Sequence, residues 1–144
     1  YRDILDRIIG LKEHIMTRSI TLSRLPNMYA ITRQAPDRPF PLWSNGAGLV
    51  SLTRTKNELS IVCEQSRVPH SIQSSTDWIA FALEGSFGLD EPGIVLSVIQ
   101  PLSENGIGVF MISTYDGDHL LIHHKDLTLS INLLTAAGHV VKDA

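Results

Sequence analysis

The 144-residue sequence holds two short acidic strings able to do recognition chemistry: Asp116-Gly117-Asp118 between two apolar runs, and Asp90-Glu91-Pro92-Gly93 ahead of another. Carboxylates at such places can answer an ammonium or guanidinium group with charge-assisted hydrogen bonds, about twice as strong as neutral ones. Proline is favoured at the first position of a helix. Pro92 there leaves the N–H groups of Gly93 and Ile94 free, and a helix N-terminus favours a carboxylate. Each string also has a plainer reading: Asp and Gly are ordinary turn residues, and acidic residues in a first helical turn are favoured by the macrodipole.

The remaining reactive residue types point to no chemistry. His119 and His123 share one face of an expected strand near Asp116 and Asp118, but no Cys/His pair has zinc-finger spacing. They are read as facing solvent or a partner, with no metal. Cys63, the single cysteine, lies inside "ELSIVCE" and reads as a small buried strand residue with no internal disulfide partner. Nucleophile elbow, P-loop, HExxH and GxGxxG strings are all missing, so no catalytic residue and no cofactor are assigned and the chain is read as a non-enzyme. The net charge of −3 is spread without a basic stripe, which makes nucleic acid and membrane surfaces poor partners. With no leader pattern and no apolar run of membrane length, the expectation is a soluble, cytoplasmic protein.

The elements that would position these residues follow from periodicity and punctuation. Ile4, Leu5, Ile8, Leu11 and Ile15 recur at helical spacing, which predicts a helix near the start despite Gly10. Residues 1–15 read equally as an appended extension and as part of the fold. From Ser19 the texture turns to short β-rich runs, "ITLSRL", "NMYAITRQ", "LVSLTRT" and "ELSIVCE", the last two joined at Lys56-Asn57, where Asn57 can take a positive φ. "SRVPHSIQSSTD" is loop-like. Next come a strand "WIAFALEG", a helix "PGIVLSVIQPLSEN", strands "GVFMISTY" and "HLLIHHK", a helix "LTLSINLLTAA" and a last strand "HVV". That order is βαββαβ, with both helices on one face of a sheet. Asp126 is expected to cap the second helix, Leu127, Ile131 and Leu134 to form its core stripe, and Gly106 and Gly138 to end the two helices. Pro101 is expected to kink or break the first helix at a cost of roughly 3 kcal/mol unless packing compensates.

The strings "FGLDEPGIV", "PLSENGIGVFMISTYDGDHLLI" and "TDWIAFAL", and more weakly "LVSLTRTKNELSIVCE", resemble the ACT domain, a small regulatory βαββαβ module that binds amino acids. Within it they are similar to the subgroup of short bacterial tandem-ACT proteins and CASTOR-type cytosolic arginine sensors. The resemblance implies an α+β, ferredoxin-like fold: a helical extension over 1–18, a divergent ACT-like β-rich unit over 19–74 and an ACT domain over 75–144. It also implies a non-catalytic sensor with an amino acid, including a cationic one, held between two ACT units of a homodimer, and a regulated protein partner. The rival is a ligand-free dimerisation or docking module. Carried over residue by residue, the ligand contacts are Gly88, Asp90, Glu91, Pro92, Gly93 and Ile94 in the loop before the first helix, and Thr114, Tyr115 and Asp118 around the strand connection. Gly108 and Val109 would come from a partner unit. Gly108 stands where the arginine sensors have a serine, so a hydroxyl contact to arginine is missing.

Overall fold

A computed structural model describes residues 2–17, 19–85 and 92–143, with side chains described outside 10–17. The elements are α1 (Arg2–Thr17), β1 (Thr21–Arg24), β2 (Tyr29–Gln34), β3 (Ser51–Arg54), β4 (Leu59–Glu64), β5 (Gln73–Glu84), α2 (Ile94–Ser103), β6 (Val109–Ser113), β7 (Asp118–His123), α3 (Leu127–Ala136) and β8 (Val140–Lys142). The fold is α+β and ferredoxin-like, as expected. β5 begins five residues earlier than the apolar run suggests, because Gln73–Asp77 are exposed polar residues with no burial pattern to mark them.

The strand order explains how two units share one sheet. β3, β4, β2 and the first half of β5 lie side by side, while β6, β7 and the second half of β5 continue on the other edge. β5 is therefore the last strand of the first unit and the first strand of the second. It turns between the two roles at a bulge: Tyr29 pairs with Trp78 and Ile31 with Ser75, leaving an extra residue on β5. Asp77 in the bulge has a φ of 65°, a conformation that Asp tolerates better than most residues. The Gln65 amide holds it there, accepting from the Asp77 N–H at 2.7 Å and donating to its carboxylate at 3.2 Å.

Three apolar clusters follow from the period of two. Ile79, Phe81, Leu83, Leu120 and Ile122 face α2 and α3, meeting Val98, Leu102 and Leu134. The α2 stripe Ile94, Ser97, Val98, Leu102 has the spacing of one helical face. On the back of the same sheet, Ala80 and Leu121 pack with Tyr29 and Val62, so the first unit lies against the face the helices leave bare. Leu59, Ile61 and Cys63 point outward from the first unit and are covered by Trp43, Val50 and Val68.

β1 is where the arrangement departs from a plain βαββαβ unit. It runs antiparallel to β5 and parallel to β8, so it separates the first and last strands of the second unit. His139 ties this arrangement together: its Nδ1 accepts from the Ile20 N–H at 3.0 Å and its Nε2 donates to the Ser97 carbonyl at 2.8 Å, with the side chain buried. Ser97 is the residue whose carbonyl Pro101 cannot serve. The expected break at Pro101 is thus absent, and α2 runs on to Ser103 because a histidine supplies the donor that proline lacks. Gly106 and Gly138 take the positive φ expected after the two helices, at 75° and 92°. Asp126 stands at the N-cap of α3, yet its side chain makes no capping bond. Asn57 does not have a positive φ; the Thr55 hydroxyl accepts from the Asn57 and Glu58 amides and closes that turn.

His139→Ala strands two buried polar groups and should lower stability by about 2–4 kcal/mol in urea unfolding. In a Pro101→Ala background the loss should be smaller, since an alanine at that position brings its own N–H to the Ser97 carbonyl; equal losses in both backgrounds would refute the clasp. Ile4, Leu5, Ile8 and Ile9 are 47–61% exposed on α1, so deleting residues 1–15 should leave one cooperative melt close to that of the parent. Insoluble product would show that this stripe covers core surface.

Candidate functional site

β5 and β6 both run antiparallel to β7, so the exits of β5 and β6 and the start of β7 share one end of the sheet. The β6–β7 connection emerges there, and α2, whose far end leads into the start of β6 at the opposite end of the sheet, begins on this side. Gly117 lies close to β5: a Cβ at that position would stand 3.9 Å from the Leu83 carbonyl oxygen. Pro92, Gly93, Ile94, Thr114, Tyr115 and Asp118 are all placed at this end by the topology. Gly88, Asp90 and Glu91 lie outside the described residues.

The start of α2 differs in detail from the expectation. Gly93 is the N-cap, left-handed at φ 85°, and its carbonyl accepts from the Ser97 N–H at 3.0 Å. Pro92 therefore precedes the cap and is not the first helical residue. The amides without an intrahelical acceptor are those of Ile94, Val95 and Leu96. A left-handed N-cap needs glycine, which leaves no room for proline to start the helix one residue earlier. Ile94 sends its side chain into the core and offers only its backbone.

The acidic connection is a tight hairpin. Thr114 donates to the Gly117 carbonyl from its N–H at 2.7 Å and from its hydroxyl at 2.9 Å, closing a two-residue turn at Tyr115-Asp116. The Thr114 hydroxyl hydrogen is thus spent inside the turn. Tyr115 is 80% exposed, and Asp118 is half-buried opposite Ser113 as the first residue of β7. The β3–β4 connection has the same closure, Thr55 N–H to the Glu58 carbonyl at 2.9 Å. Gly108 and Val109 sit at the other end of β6, so within one chain they do not meet the rest.

The two histidines are both half-buried. His123 stands edge-on to Trp78 at 5.7 Å between ring centroids, and its Nδ1 accepts from the Lys125 N–H. His119 pairs with Ile112 on the back face of the sheet, and its buried Nδ1 has no partner among the described residues. Burial holds its pKa below the ordinary histidine value, and the adjacent Asp118 carboxylate offsets only part of that. Burial raises the Cys63 thiol and the Tyr29 phenol from their usual values, which suits structural roles. No group of three or more His, Cys, Asp or Glu residues able to hold a metal occurs among the described residues. Among them no helix is long and apolar enough to cross a membrane.

Known proteins place this arrangement in a class. The family model for the ACT domain matches residues 73–136, a span that opens on the first residue of β5. A second model, for an N-terminal domain, matches 27–71. The chain is an ACT-domain protein resembling the CASTOR type. It belongs to the same family as protein Atu0741 from Agobacterium tumefaciens, whose crystal structure shares 46% identity and a TM-score of 0.85, covering 89% of this chain and 96% of that one. The human protein CASTOR3P is 31% identical over 99 residues, a match covering 60% of this chain and 61% of the human one. The chain thus spans somewhat less than two thirds of that relative. The regulatory subunit of aspartate kinase from Thermus flavus shares the fold at 8% identity and a TM-score of 0.60, over 84% of this chain and 99% of that one.

The lowered pKa of His119 has a signed consequence. As pH falls below the unfolded value of about 6.5, the unfolded chain takes up a proton that the folded chain refuses, so stability should drop until the lowered folded pKa is passed. His119→Gln should flatten the urea stability profile in that window; an unchanged slope would show that another group sets it.

Proposed function

We propose that this protein is a non-catalytic, cytoplasmic amino-acid sensor, acting as a homodimer with its ligand between two ACT units and passing the signal to a regulated protein partner. The ACT domain and its regulatory relatives support a regulatory, amino-acid-sensing role in general. The observation that carries the finer reading is the shared end of the sheet. The first-turn amides of α2 suit a carboxylate, and Asp118 on the neighbouring connection suits the cationic group, so one surface offers both poles of a zwitterion. Gly88, Asp90 and Glu91 would complete the loop, with Gly108 and Val109 brought by a second copy. Tyr115 stands out in solvent instead of filling the site, which favours a binding role over a ligand-free docking module.

A thermal-shift screen against the common amino acids tests the reading, since a ligand at about 100 times its dissociation constant stabilises by roughly 2.7 kcal/mol. With the ligand so found, Asp118→Asn should weaken calorimetric affinity by about 1.5–3 kcal/mol, and Asp116→Asn, exposed in the turn, by less. Equal losses would mean a diffuse acidic rim. A monomer in sedimentation at micromolar concentration, with and without amino acids, would remove the dimer from the proposal.

A further inference from the structure

The charge of the chain is divided unevenly, although no basic stripe marks it in the sequence. Residues 19–74 hold six Lys and Arg against three Asp and Glu, whereas residues 75–144 hold two against nine. Several cations of the first unit are left without a carboxylate. Among the described residues Arg38, Arg54 and Lys56 make no ion pair, and Glu58, in the same hairpin as Arg54, is turned to Arg33 at 3.9 Å.

The outer face of the first unit sets these cations beside apolar side chains that are exposed yet held. Leu52 and Arg54 share that face, two positions apart on β3 and opposite Ile61 and Leu59. Prolines at 36, 39 and 41 stiffen the connection from β2 to β3. Its backbone is tied as well: the Arg54 guanidinium donates to the Pro36 carbonyl and, at 2.8 Å, to the Arg38 carbonyl, and the Ser44 hydroxyl donates to the Pro41 carbonyl at 2.7 Å. In the 3-10 turn Leu42–Ser44, Trp43 packs on the outer core while Leu42 is 93% exposed. Phe40 is 58% exposed and lies under the Arg54 guanidinium, whose Cζ is 4.8 Å from the ring centroid. Burial in this chain accounts for neither Phe40 nor Leu42, and side chains carried on a stiff, tied segment lose little freedom when a partner covers them.

We propose that this face is a docking surface for an acidic segment of another protein that also carries a bulky apolar side chain. Arg54 is the anchor: two bonds from one end nitrogen and the ring beneath it fix its plane, which leaves its other nitrogens to receive a carboxylate. Arg38 and Lys56, in the adjoining turns, add to the positive field that draws the segment in, and Phe40, Leu42 and Leu52 take its apolar side chain. A nucleic acid suits the face less well. Arg54 covers the side of Phe40 on which a base would stack, and Asp37 and Glu58 stand among the cations, where they repel a continuous phosphate backbone. The surface goes beyond the sensor reading and stands without it, because no residue assigned to the amino-acid site takes part.

The test is an amide-resolved NMR titration of the full chain with the capped peptide Glu-Asp-Leu-Leu-Asp-Glu, against the analogues Gln-Asn-Leu-Leu-Asn-Gln and Glu-Asp-Ser-Ser-Asp-Glu. Saturable shifts at Phe40, Leu42, Leu52, Arg54 and Lys56 are expected with the first peptide, weakening as salt is raised, with each analogue bound more weakly by about tenfold or more. Arg54→Met, which keeps the stem and drops the charge, should weaken binding about tenfold. Leu42→Ser and Lys56→Gln, at exposed positions that leave the fold intact, should each weaken it about threefold, and Asp118→Asn should leave it unchanged. Overturning results are no saturable shift, equal binding of the amide analogue, or unaltered affinity in Arg54→Met and Leu42→Ser. Tighter binding of a short DNA duplex at the same resonances, or movement of those resonances with protein concentration and no peptide, would give the face to a nucleic acid or to a second copy, and either would overturn the proposal.

Discussion

One strand must satisfy two sheets, and the rest of the molecule is arranged around that constraint. The twelve residues of β5 pair first with β2 and then, after the Asp77 bulge, with β1 on one edge and β7 on the other. A regular strand would carry its pleat straight through and leave the first unit extended away from the second. The extra residue and the positive φ raise the local twist, and the first unit folds back on the bare face of the second, where Tyr29, Val62, Ala80 and Leu121 form a common core. Gln65, from the segment after β4, holds the bulge, so the strand that ends the first unit is fixed by that unit's own chain.

At the far end of β5 the same strand is closed by residues distant in sequence. β1 is laid between β5 and β8, and His139 meets Ile20 across 119 positions. Inserting a strand moves β8 one position outward, away from β5, and gives it a parallel partner, a slightly weaker pairing per residue than an antiparallel one. The histidine clasp, the Val140 N–H to Ile20 carbonyl bond at 3.0 Å and the Ser19 hydroxyl to Gly138 carbonyl bond at 2.8 Å add polar contacts at that junction. The site end of the sheet and the clasp thus use the same helix, α2, which is capped by Gly93 and has its Ser97 carbonyl held by His139.

Legibility in the sequence followed burial. The second unit could be read because its strands are apolar runs cut by glycines and its helices end at Gly106 and Gly138, where the backbone needs a positive φ. "QSSTD" could not, since five exposed polar residues leave no periodic trace although they pair with β2. The insertion of β1 was invisible because a strand of four residues carries no mark of its partners, and here one partner is β8, distant in sequence. Pro101 was legible as a defect and His139 was not legible as its remedy, because the two meet only in space. At the candidate site the residue types were readable and the helix start was misplaced by two residues, since Pro92 offered a familiar first position while Gly93 imposed the left-handed cap.

The two units also differ in what they can bind, for a local reason. Where the second unit has α2 the first has an irregular segment, and its outer core of Leu59, Ile61 and Cys63 is sealed by that segment instead of a helix. Arg67 pins it through the carbonyls of Ala47 at 3.2 Å and Ser44 at 3.4 Å, and the Tyr29 hydroxyl accepts from the Leu49 N–H at 3.0 Å. Such close wrapping needs bare backbone: a Cβ on Gly46 would stand 2.7 Å from the Arg67 guanidinium, and Gly48 has a φ of 81° against the Tyr29 hydroxyl. Among the described residues, then, the first unit has no helix N-terminus at the position equivalent to Gly93. A carboxylate-favouring helix start therefore occurs in only one of the two units of each chain. On the proposed reading, a ligand site with ACT units on both sides draws its second helix-bearing unit from another copy, to which the family resemblance also assigns Gly108 and Val109, at the far end of β6.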